Sequence, residues 1–107
     1  MIDKIVRTKV RLIINLAMMV DDSPTTHRKT GDKPTVFVNF SGHTCGLIVA
    51  VCEKGWDREP PYNETNFEMV VYLNNESSEV IKSLDIIIEK LNDIYKKWGE
   101  HDGNINI

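Results

Sequence analysis

The chain predicts an α+β fold, in which a three-stranded antiparallel meander lies between an N-terminal helix and a long C-terminal helix (α-β-β-β-α). Three observations predict it. Between Ser77 and Trp98, large apolar residues recur at spacings of three and four. Between Thr35 and Asn74, three short stretches alternate with a period of two. The first two of these are joined by a short glycine-bounded turn, Gly42 to Gly46, which makes them a hairpin. All 107 residues fit one domain.

The N-terminal segment Ile2–Val20 carries two patterns. As a helix, Ile2, Ile5, Val6, Ile13, Leu16, Ala17 and Val20 share a face, with Lys9 in the row. As a strand, Val10–Met19 alternates just as well. Asp3 can cap a helix, and Ala17, Met18 and Met19 favour one by propensity, so helix is the preferred reading. Asp21–Pro34 opens on Asp-Asp-Ser-Pro and closes on Gly-Asp-Lys-Pro, which is turn chemistry. It reads as a loop longer than most connections, of the length that functional or mobile segments take.

The three strands come next. Thr35–Ser41 sets Val36, Val38 and Phe40 against Phe37, Asn39 and Ser41. Leu47–Lys54 sets Leu47, Val49 and Val51 against Ile48, Ala50 and Cys52. After a second irregular loop, Gly55–Thr65, the stretch Asn66–Asn74 sets Phe67, Met69, Val71 and Leu73 against Glu68, Val70 and Tyr72. The C-terminal helix buries Val80, Leu84, Ile87, Leu91, Ile94 and Trp98, widened by Ile81, Ile88 and Tyr95, and leaves Ile86 off the stripe. Each such side chain contributes about 1.5–3 kcal/mol when fully buried, so this helix needs a surface to cover. Asn75 or Ser77 is expected to cap its start, Gly99 to end it, and His101–Ile107 to form a flexible tail.

The helix can roof the sheet face that carries Val36, Val38, Phe40, Phe67, Met69, Val71 and Leu73. The opposite face, with Phe37, Val70 and Tyr72 beside Asn39, Ser41 and Glu68, is too apolar to be simply solvated. Either the N-terminal helix or another molecule is expected to cover it.

Composition narrows the function classes. Net charge is -3, which gives no global pull toward nucleic acid. Residues 1–33 are nonetheless basic, with seven Lys/Arg against four Asp/Glu, and residues 34–107 acidic, with six against twelve. Two cysteines do not make a disulfide framework, no signal peptide is visible, and Leu12–Val20 is too short to span a bilayer. The expected location is the cytoplasm, without a membrane partner.

Candidate chemistry is sparse. His43 and Cys45, two residues apart in the turn, are the only pair resembling a base and a nucleophile, and no third orienting residue is evident. A buried cysteine in a hairpin turn is the plainer reading. His27, His43, His101, Cys45 and Cys52 lack the paired spacing of a zinc motif. There is no phosphate-binding glycine loop, so no cofactor or metal is expected. Glu53, Asp57, Glu59, Glu64 and Glu68 read as an acidic rim. Lys4, Arg7 and Arg11 share one side of the N-terminal helix and can hold phosphates, with His27, Arg28, Lys29 and Lys33 beyond them. No aromatic residue is interleaved among them, as a single-strand binder would need. The loop Gly55–Thr65 carries Trp56, Arg58, Pro60, Pro61 and Tyr62, a composition common in binding anchors, although Trp56 and Tyr62 can equally complete the core.

The size and the helix–sheet–helix layout resemble compact inhibitors encoded by phages and mobile elements, a likeness that no motif carries. The expected protein is therefore a non-catalytic binder, inhibitor- or sponge-like. It would hold a partner protein or a small nucleotide-like ligand through the aromatic loop and the second sheet face, with homo-oligomers possible. The residues expected to do so are Trp56, Arg58, Tyr62, Phe37, Asn39, Tyr72, Arg7 and Arg11. The alternatives are a small cysteine-dependent hydrolase using His43 and Cys45, or a nucleic-acid binder using the basic N-terminal third.

Overall fold

A computed structural model describes residues 2–20, 34–53 and 65–102, with residues 98–102 as backbone only. The order is α1 (Lys4–Val20), β1 (Thr35–Ser41), β2 (Gly46–Cys52), β3 (Phe67–Tyr72) and α2 (Ser77–Asp102). The α-β-β-β-α layout is therefore the fold of the protein. The first segment takes its helical pattern, not its strand pattern. The Asp3 carboxylate accepts from the Ile5 N–H at 2.7 Å, which satisfies a donor the helix cannot satisfy itself.

The sheet is a meander in the order β1-β2-β3, antiparallel throughout. Its register makes rows across one face: Val36–Val51–Phe67, Val38–Val49–Met69 and Phe40–Leu47–Val71. The other face has Phe37–Ala50–Glu68, Asn39–Ile48–Val70 and Ser41–Gly46–Tyr72. Apart from Phe40, the first set joins Val80, Leu84, Ile87, Leu91 and Ile94 of α2 in one core. Among the described residues no polar or charged side chain is buried in it.

Helix α1 does not cover the second face. Its Val6, Ile13, Leu16, Ala17 and Val20 enter the same core as α2, and it packs mainly against α2 and more lightly against β1. The reason is geometric. A helix is about 10 Å across, too narrow to roof three strands spaced about 4.8 Å apart with their side chains. The stripe of α2 is also wider than one contact needs, so Ile81 and Ile88 on its flank pack against the shared core. Lys9, half-buried in the row of α1, lays its stem along that core and reaches Asp85 of α2 at 2.6 Å.

Three local expectations are corrected. Phe40 sits in the inner register but is 50% exposed, because helical cover stops short of the β1 end of its row, while Leu47 and Val71 beside it are buried. At the start of α2 the cap is Glu76, whose carbonyl accepts from Val80 N–H at 3.1 Å. Ser77 is then already inside the helix, and the Ser78 hydroxyl donates to the Glu76 carboxylate at 2.7 Å. At the other end α2 runs through Gly99 to Asp102, two residues into the segment read as a tail. Glycine inside a helix costs only about 1 kcal/mol, which is not enough to stop it.

Candidate functional site

The outer face of the sheet arises from the same alternation that builds the core. Phe37, Val70 and Tyr72 are 44%, 47% and 48% exposed, and Ile48 and Ala50 of the central strand are half-buried between them. Neither helix lies on this side. Asn39, Ser41 and Glu68 edge the apolar band with polar groups. Of the residues expected to bind, Phe37, Asn39 and Tyr72 are brought together here. Val70, Ile48 and Ala50 complete the surface, and the two-residue period that assigned Phe37 and Tyr72 to this face assigns them too.

Tyr72 has a second occupation. It stands directly opposite Gly46 in the register, and a Cβ built on Gly46 would lie 3.3 Å from the tyrosine ring and 3.0 Å from the Thr44 hydroxyl. The ring covers bare backbone where the central strand has no side chain. The ring rests on that backbone and keeps close to half its surface in solvent.

Arg7 and Arg11 lie elsewhere. Four residues apart on α1, they edge a groove of about 340 Å³ floored by Ile2, Val10, Ile14, Phe40 and Leu73. This groove is on the helical side of the sheet, so the expected single site divides into two. Among the described residues neither guanidinium has an ion-pair partner, whereas Lys9 is held by Asp85 and Glu53 by Lys90 at 3.6 Å and Lys97 at 4.0 Å. Lys90 also lies 5.9 Å from the centre of the Phe67 ring.

Trp56, Arg58 and Tyr62 lie outside the described residues, as do most of the acidic rim and the basic residues 27–33. His43 and Cys45 are described. The imidazole is exposed, no hydrogen bond joins it to the thiol, and Cys45 packs half-buried against the core. Cys45 is left-handed, with φ 59°, in the turn between β1 and β2. A non-glycine residue pays about 1–2 kcal/mol for that conformation. The turn holds it there by having the Cys45 carbonyl accept from Leu73 N–H at 2.9 Å. The strain is accounted for by the turn, and an activating base in contact with the thiol is lacking.

Among the described residues no three His, Cys, Asp or Glu side chains converge as a metal would require, and no helix is long and apolar enough to cross a membrane. No family model matches the chain, and neither does any curated protein sequence or solved structure.

Proposed function

We propose that this is a non-catalytic binding protein, inhibitor- or sponge-like, whose outer sheet face docks a partner protein. The observation that supports the reading is the exposure of Phe37, Val70 and Tyr72 on a face that neither helix covers. Folding does not require these residues to be apolar, since antiparallel sheets commonly keep a polar, solvated side. Contiguous exposed apolar surface of this kind marks contact surfaces more often than chance.

Size argues for a larger footprint. Strands of six or seven residues in a sheet of three give a face of roughly 20 by 14 Å, on the order of 300 Å² in projection. A stable protein interface takes about 800 Å² from each partner. Trp56, Arg58 and Tyr62, the anchor-type residues that the sequence offers between β2 and β3, are proposed to supply the remainder. A second copy of this chain is one form the partner can take.

Native mass spectrometry of freshly purified protein reports subunit count and any retained molecule together. Val70→Lys places a charge in the middle of the face at a half-exposed position. The expected result is loss of the second subunit, or of specific proteins captured by the wild type, with the denaturation midpoint nearly unchanged. A Val70→Lys protein that keeps the same complexes, or a wild type that holds nothing the variant loses, removes the reading.

A further inference from the structure

We propose that the groove between α1 and the end of β1 is a separate site for a small amphipathic anion, with a plain hydrocarbon body and one anionic head, as in a medium-chain carboxylate. It lies on the opposite side of the sheet from the docking face and does not depend on it.

The charge pattern of α1 is the first argument. Its first turn contains no acidic residue, and Lys4, Arg7, Lys9 and Arg11 fill its N-terminal half. The Asp3 carboxylate already caps that end, and the helix dipole fades within the first turn, so it weighs on Lys4 and Arg7 and not on Arg11. Like charges four residues apart, as Arg7 and Arg11 are, also repel. Lys9 is relieved by Asp85, but Arg7 and Arg11 have no ion-pair partner among the described residues. The sequence thus keeps two like charges one turn apart on α1, and both line the groove. An anion held between them would relieve that repulsion through charge-assisted hydrogen bonds.

The floor gives the rest of the ligand. Phe40 occupies an inner register position, yet helical cover leaves it half-exposed, and it lines the groove. Around it the lining is aliphatic, with no polar side chain apart from the two arginines among the described lining residues. A nucleobase brings donors and acceptors that such a floor leaves unpaired, at a cost. A hydrocarbon brings none. The volume, about 340 Å³, is at the small end of the usual range for ligand pockets and suits a short chain.

The test is an amide-resolved NMR titration of the intact chain with decanoate below its micellar concentration. Decyltrimethylammonium and adenosine 5′-monophosphate run in parallel, against wild type, the double variant Arg7→Gln/Arg11→Gln, and Phe40→Ala. Expected are saturable decanoate shifts at Arg7, Val10, Arg11, Ile14 and Phe40, weakened about tenfold or more in the double variant, since charge-assisted bonds carry much of the affinity. Phe40→Ala should weaken binding as well, and the cation should not compete. Equal decanoate affinity in wild type and double variant would overturn the site. Shifts centred on Phe37, Val70 and Tyr72, or tighter binding of the nucleotide than of decanoate, would overturn it too. The double variant changes two exposed polar side chains, and its unperturbed spectrum elsewhere verifies the fold.

Discussion

The two faces of the sheet are made from the same three strands, residue by residue in turn, yet they have different fates. On the inner face Leu47, Val49 and Val51 are fully buried, as are Leu84, Ile87 and Leu91 above them. On the outer face Phe37, Val70 and Tyr72 keep close to half their surface in water. Composition is only part of the cause, because the outer rows, though edged by Asn39, Ser41 and Glu68, still hold Phe37, Ile48, Val70 and Tyr72. The rest is cover. Both helices went to one side, since each had a stripe wide enough to bury against the other as well as against the sheet. Apolarity on the inner side is thus explained by folding, and apolarity on the outer side is left for something else to explain.

The largest test of this contrast is on the inner side. Leu84→Ala removes a fully buried side chain from a core that has no buried polar side chain among the described residues. A loss of about 3 kcal/mol is expected in urea denaturation, a large share of the roughly 5–15 kcal/mol that domains possess. A loss below about 1 kcal/mol would mean that α2 does not roof the sheet as described.

Much of that inner side is legible in the sequence, and the reasons are physical. The period of two fixes which strand residues face together, and Val36, Val38, Met69 and Val71 fall with α2 because no other alternation is available. The stripe of α2 is long enough to leave one conformation. What periodicity cannot carry is the third dimension. It reports that α1 has an apolar face, not which surface that face meets, so both sides of the sheet remained open to it. It reports that Phe40 shares a face with Val38, not that helical cover ends before reaching it. Arg7 and Arg11 read as anion-binding groups from charge alone, but their separation from Phe37 and Tyr72 needed the helix to be placed.

Gly46→Ala examines the outer face at the point where the central strand has backbone only. The added methyl meets the Thr44 hydroxyl at 3.0 Å and the Tyr72 ring at 3.3 Å. The ring is half-exposed and can swing away, so the expected cost is moderate, about 1 kcal/mol. Differential scanning calorimetry should show a lowered Tm with the transition still cooperative. A neutral result would indicate that Tyr72 does not rest on Gly46, and would leave that ring free for ligand contact.

Smaller still is the link between the helices. A double-mutant cycle on Lys9→Met and Asp85→Asn isolates the ion pair from the packing of the lysine stem. The Asp85 side chain is 53% exposed, and pairs in such surroundings contribute about 0.2–1 kcal/mol after screening. The expected coupling lies in that range and shrinks in high salt. A coupling that salt leaves unchanged would place the pair deeper in the seam than its exposure indicates.

The smallest expected change is the one that asks most of the outer face. Val70→Thr keeps the β-branched shape, and with it the strand preference, while replacing a methyl with a hydroxyl beside Ile48, its direct neighbour across the ladder. If water is what that face meets in the isolated chain, the hydroxyl is hydrated in both the folded and the unfolded state. The stability difference then stays within about 0.5 kcal/mol. Its midpoint should also be the same at low and high protein concentration. If a second copy covers the face, folding and association are coupled. The wild-type midpoint would then rise with concentration, and Val70→Thr, now burying a hydroxyl against apolar surface, would lose most of that rise. The size of the effect at one concentration is therefore less informative than its slope with concentration. A flat slope for both proteins assigns the exposed band to a different partner, and a slope that the substitution abolishes assigns it to the chain itself.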